Sequence, residues 1–194
     1  MLAFDTGPAN VLIDLAMRQL TDGRQTCDRN GQLALRGEVC APLLKRWLRH
    51  PFFRQAPPKS TGRERFGETF LQPALAEMKR LRLTQSDALA TLTEFTAKSL
   101  ALNYQLHLPS PPDRVVLCGG GVDNLALGDA IAAALRPLNL RMEVQTSADL
   151  GWPTKSIEAA AFALLAWRRW HGLPGNLPAT TGAKRAVLCG QICT

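Results

Sequence analysis

The sequence predicts an α/β fold, with a mixed sheet and flanking helices, on three observations. "RVVLC" (114–118) is a short, β-branched run of the kind that forms a buried strand. "LRMEVQT" (140–146) alternates apolar and polar residues, as a strand with one buried face does. Around them lie segments with apolar residues at helical spacing, and strands alternating with helices argue for a sheet that is at least partly parallel.

Taken in order, residues 2–4 read as the end of a strand. Gly7-Pro8 then opens a helix running to about Leu20, because proline is favoured in the first helical turn. "TDGRQTCDRNGQ" (21–32) is a loop punctuated by Asp-Gly and Asn-Gly. Helices are expected at 38–49 and, beyond the proline-rich "QAPPKSTG", at 64–80. Leu89, Leu92, Phe95 and Leu102 mark a core-facing helix over 84–106, and "PSPPD" stops it. After the first strand, "GGGVDN" (119–124) turns into a helix that ends near Leu135. The loop "SADLGWP" leads to a last helix over 154–170, and "GLPGNLPATTGA" is a Gly/Pro-rich tail before a short apolar run.

A chain of 194 residues suffices for one domain with a real core. The hydrophobic fraction of 46% and charged fraction of 20% belong to an ordinary soluble protein, no apolar run reaches membrane-spanning length, and no leader is evident. A cytoplasmic address, with no membrane partner, is the expectation. Five scattered cysteines without a CxxC pair argue against a disulfide framework or zinc site. The three histidines stand apart from one another, so no metal site is expected. The net charge of +7 is dispersed over "RWLRH", "STGRERF", "MKRLRL" and "WRRWH" without interleaved aromatics, so nucleic acid is not an expected partner.

Three stretches have chemical potential. In "FDTGPAN", Asp5 follows a short apolar run; strand-end carboxylates in α/β proteins point into the ligand crevice and serve as bases or metal ligands, although Asp5 or Thr6 could equally cap the helix. In "VVLCGGGVDN", Gly119, Gly120 and Gly121 would let a ligand approach the backbone near a helix N-terminus, with Asp123 or Asn124 as its alternative cap. The spacing matches neither a dinucleotide fingerprint nor a P-loop. "PKSTGRERF" places a lysine, two hydroxyls and an arginine around a glycine, a set that binds phosphate or sugar hydroxyls, or else forms a solvated turn with Glu64 reaching back. Glu158, in the first turn of the last helix, at least complements the helix dipole.

Together, "FDTGPANVLID", "PKSTGRERF", "VLCGGGVDN", "EAAAFALLAWRRWHGLPGNLP" and "TTGA", in this order, resemble the anhydro-N-acetylmuramic acid kinases over essentially the whole chain. The resemblance implies one lobe of RNase H-like, actin-like ATPase fold. It also implies a reaction in which the anhydro bridge of a cell-wall sugar is opened by water and the freed hydroxyl is phosphorylated from ATP with Mg²⁺, in peptidoglycan recycling. By motif, Asp5 matches the family's catalytic base and Glu158 a substrate-contacting acid, while Gly119, Gly120, Gly121 and Asn124 match the loop against the nucleotide's adenosine.

Family members are about twice this length and carry their phosphate-binding loops in the N-terminal half. The resemblance therefore identifies residues 1–194 with a C-terminal lobe, and implies a homodimer or a complementary N-terminal half as partner. The alternative is a non-catalytic lobe that folds, dimerises or binds sugar or nucleotide weakly. Ala9 departs from the family pattern, which has glycine there.

Overall fold

The computed structural model describes residues 1–193, and its centre is a single long helix. In chain order, the helices are α1 (Val11–Leu20), α2 (Ala41–Trp47), α3 (Glu68–Arg80), α4 (Gln85–His107), α5 (Leu125–Leu135), α6 (Ile157–Trp170) and the one-turn α7 (Pro178–Thr181). The strands are β1 (Arg114–Leu117) and β2 (Glu143–Thr146).

Helix α4 starts where its sequence says it should. The Thr84 hydroxyl accepts the Asp87 amide at 3.1 Å, and the Asp87 carboxylate accepts the Thr84 amide at 2.9 Å, a reciprocal capping box. Unlike an amphipathic surface helix, α4 buries residues on every face, from Leu89, Leu92 and Phe95 to Thr91, Thr93, Ser99 and Asn103. Two of its buried hydroxyls are satisfied within the helix: Thr91 donates to the Asp87 carbonyl, and Ser99 to that of Thr96. The helix is therefore the axle of the fold. Against it pack α1, α2 and α5, with the aromatic cluster Trp47, Phe52, Phe53, Phe66, Phe70 and Phe95 on one side. Phe70 stacks on Phe95 at 5.5 Å, and Phe53 on Phe66 at 5.6 Å.

β1, α5 and β2 form a parallel β-α-β unit in register Arg114↔Glu143 to Leu117↔Thr146, with Val115 buried. Among the described residues this is a two-stranded, purely parallel sheet, which corrects the expected mixed one. Residues 2–4 are not a strand. A strand needs a neighbour to pair with, and the backbone hydrogen bond nearest this segment is that of Asp5 to the Lys59 carbonyl, at 3.1 Å.

Four helix starts also move, α2 from 38 to Ala41 and α6 from 154 to Ile157 among them. α1 begins at Val11 because Pro8 closes a turn, its carbonyl accepting the Val11 amide. α3 begins at Glu68 because "GRERF" first turns to drive Phe66, 1% exposed, into the aromatic cluster. Gly67, the residue before α3, packs so tightly that a Cβ would stand 2.1 Å from the Arg63 carbonyl oxygen.

α6 differs from every other long helix. None of its residues is buried, and Phe162, Trp167 and Trp170 are 65%, 53% and 74% exposed. No helix among the described residues is long and apolar enough to cross a membrane.

Candidate functional site

The segment Asp5–Asn10 threads between two cavities, held by the Lys59–Thr61 segment at Asp5 and by α4 at Thr6, Gly7 and Ala9. Asp5 does not cap α1; the residue before that helix is Asn10, whose side chain makes no cap bond. The exposed Asp5 carboxylate instead accepts the backbone N–H of Thr61 at 2.7 Å. The Thr6 carbonyl accepts from the Asn103 side-chain amide at 3.0 Å. Gly7 passes so close to α4 that a Cβ would lie 2.5 Å from Ser99 Oγ. The Thr96 hydroxyl donates to the Ala9 carbonyl at 2.7 Å. Ala9 itself sits at φ +47°, the left-handed region that favours glycine.

On one side of this segment is a cleft of about 360 Å³, lined by Phe4, Asp5, Lys59, Ser60, Thr180 and Thr181. Three separate motifs meet here: "FDTG", "PKSTG" and "TTG". The last is seated by Gly182, where a Cβ would stand 2.9 Å from the Pro58 ring. The cleft thus offers a carboxylate beside several hydroxyls, a set suited to a polyhydroxylated ligand.

On the other side is a cavity of about 220 Å³ between Thr6, Ala9 and Asn10 and the bend Gly119–Gly121. Gly119 has φ +86°, and nothing lies within 4 Å of where a Cβ would stand on Gly119 or Gly120. Their backbone therefore faces open space, as close approach of a ligand requires. A Cβ on Gly121 would lie 3.4 Å from Asn10 Oδ1, so the bend and the Asp5 segment form facing walls. Asn124 caps α5 by accepting the Leu127 amide at 3.0 Å, which decides between the two cap candidates. The Gly119 amide donates to the Thr154 carbonyl and Lys155 pairs with Asp123 at 2.7 Å, fastening the approach to α6 onto the bend. Glu158 stands exposed in the first turn of α6, and among the described residues it pairs with no cation and lines neither cavity.

Two groups stand apart from the sequence reading. Lys59, read as part of a set for phosphate or sugar hydroxyls or of a solvated turn, is 8% exposed and its amine points inward to backbone carbonyls, with burial lowering its pKa. Asn10 donates to Asp14 at 2.7 Å, and burial raises the Asp14 pKa against the lowering effect of that bond. The i, i+4 spacing on α1 was the available signal. All five cysteines are free thiols. Among the described residues no three His, Cys, Asp or Glu side chains converge on a metal-sized site.

Comparison with known proteins agrees with the motif order. The family model described as anhydro-N-acetylmuramic acid kinase matches residues 1–194. An anhydro-N-acetylmuramic acid kinase of Cyanothece sp. is 49% identical over 191 residues, covering 98% of this chain and 49% of the relative. Those of Microcystis aeruginosa and Rippkaea orientalis are 46% and 47% identical, over 99% and 97% of this chain and 50% and 48% of theirs. The chain spans about half the length of the curated relatives it matches. With the family model matching this chain over residues 1–194 and the Asp5 segment and glycine bend forming facing walls, the chain belongs to the anhydro-N-acetylmuramic acid kinase family.

Proposed function

We propose that these residues form the C-terminal lobe, of RNase H-like and actin-like architecture, of an ATP-dependent anhydro-N-acetylmuramic acid kinase, and that Asp5 is its general base. The observation that carries this reading is the place of Asp5: an exposed carboxylate at the rim of a hydroxyl-lined cleft, on the segment whose other side faces the open glycine bend. In this reading Asp5 takes a proton from water as the water oxygen attacks the anomeric carbon. The anomeric bond to the bridging oxygen breaks, and that oxygen receives the γ-phosphoryl group. An aspartate is ionised at neutral pH without assistance, as a base must be.

Gly119, Gly120 and Gly121 would hold the adenosine side of ATP, and the open space over their backbone fits a close-lying ligand. ATP supplies the phosphoryl group. Mg²⁺ would arrive with its phosphates, since that ion binds through few carboxylates plus phosphate oxygens. The cavity beside the bend, at about 220 Å³, is below the roughly 300–1,000 Å³ of a complete ligand pocket, so it makes one wall of the site. Glu158 would contact the sugar, from a helix whose apolar face is exposed over Phe162, Trp167 and Trp170.

That exposed face favours a second polypeptide surface, either the other half of a relative-length chain or a second copy. It also supports a second reading, a lobe that folds and associates without turnover. Phosphoryl transfer depends on positioning, so 194 residues furnishing one wall are expected to turn over little when alone. The test is ADP release from Mg-ATP and anhydro-N-acetylmuramic acid, with and without a polypeptide spanning the remaining half of a relative. Turnover restored by that half supports the kinase lobe; none in either arm, with no ligand-dependent thermal shift, leaves the inert lobe.

A further inference from the structure

Among the described residues, Lys59 is a buried cation that no carboxylate pairs with. Its ammonium has three N–H groups and three oxygens to receive them: the carbonyls of Phe52 and Phe53 at 3.3 and 3.2 Å, and Asn103 Oδ1 at 2.5 Å. The Phe52 ring lies 4.8 Å from the same nitrogen and the Phe4 ring 5.8 Å, while His107 Nε2 stands 3.2 Å away. Burying a cation is unfavourable, and here that cost is offset by three oxygens that come from two separate parts of the chain, so the ammonium ties those parts together.

What it acts on is visible in the backbone. The Lys59 carbonyl accepts the Asp5 amide at 3.1 Å, and two residues later the Thr61 amide donates to the Asp5 carboxylate at 2.7 Å. Residues 59–61 thus grip Asp5 by both main chain and side chain. Asn103 couples the two segments from below, for its oxygen accepts from Lys59 while its nitrogen donates to the Thr6 carbonyl. We infer that Lys59 is the positioning residue of Asp5: its caged ammonium pins the "PKSTG" segment to the end of α4, and the pinned segment fixes the carboxylate through the Thr61 amide. The inference rests on Asp5 being the base only for its catalytic consequence; the geometric claim stands apart from it.

The test is made on this chain by NMR at neutral pH, with Lys59→Met, which keeps length and removes the charge. In the parent, the Thr61 amide proton resonates downfield, as an amide bonded to a carboxylate does, and Asp5→Asn moves it upfield. In Lys59→Met the same upfield move is expected, with exchange of the Thr61 amide accelerated about tenfold, while α4 amides such as those of Leu89 and Phe95 keep their protection. A Thr61 signal unchanged in a folded Lys59→Met overturns the proposal. Should Lys59→Met not fold, Lys59→Gln, which keeps two donors, decides in the same way. Unfolding of both overturns it too, since Lys59 then supports the core as a whole. In an assembly that turns over, the variant lowers kcat and leaves KM nearly unchanged. If instead Asp5→Asn leaves turnover intact, the base assignment fails, while the Thr61 signal still judges the clamp.

Discussion

The backbone amide of Thr61 donates to the carboxylate of Asp5 at 2.7 Å across 56 positions of the chain. Neither residue is fixed by its own secondary structure, for both lie outside helices and strands. Each holds the other at the rim of the cleft where "TTG" also arrives.

Asp5→Asn keeps the shape of the side chain and an acceptor for the Thr61 amide but cannot take a proton. In the assembled kinase it should lower kcat by about 10²–10⁴-fold, the usual contribution of a general base. The denaturant midpoint of the chain should barely move. Equal turnover in variant and parent, by ADP release, removes Asp5 from the chemistry.

Ala9 at φ +47° predicts a stabilising substitution. A left-handed residue with a Cβ costs about 1–2 kcal/mol, and glycine gives back about 0.4–1 kcal/mol in unfolded-chain entropy. Ala9→Gly should therefore gain on the order of 0.5–1 kcal/mol in urea unfolding. Gly7→Ala should do the reverse, because its Cβ would meet Ser99 Oγ, which is already bonded to the Thr96 carbonyl.

The capping box of α4 predicts an acid dependence. The Glu38 amide, followed by the Thr84 hydroxyl and amide, holds the Asp87 carboxyl below its ordinary value. A carboxyl with a depressed folded pKa stabilises above its unfolded value, near 3.9, and that stabilisation fades as pH falls through the folded value. Asp87→Asn should thus be less stable than the parent at pH 6, with the difference shrinking below about pH 4. Thr84→Ala should lose about 1 kcal/mol at neutral pH. Thermal unfolding at both pH values checks the pair.

The exposed face of α6 predicts a split between folding and association. Phe162→Ser with Trp170→Ser removes two side chains that are 65% and 74% exposed, so stability should stay within about 0.5 kcal/mol. Self-association, or binding of the complementary half, should weaken, as exposed apolar patches mark interaction surfaces. Sedimentation velocity reads the second effect and urea unfolding the first. A large loss of stability with unchanged association would reverse the assignment of this face.

How much of this was legible in the sequence follows from the range of the forces involved. The runs read at 114–118 and 140–146 and the helical spacing over 84–106 fell on or around the observed Arg114–Leu117, Glu143–Thr146 and Gln85–His107, because those preferences act between near neighbours. The motifs likewise named Asp5 and the glycine bend as belonging to one family. Only the tertiary structure decided that residues 2–4 form no strand, that Lys59 faces inward, and that α1 and α3 start after further turns. Each of those depends on a partner distant in the chain: a neighbouring strand, the carbonyls of Phe52 and Phe53, the pocket that receives Phe66. Hydrogen bonds and burial are satisfied by whichever groups the whole fold brings together, so local sequence could identify the participants of the Asp5 site but not their arrangement.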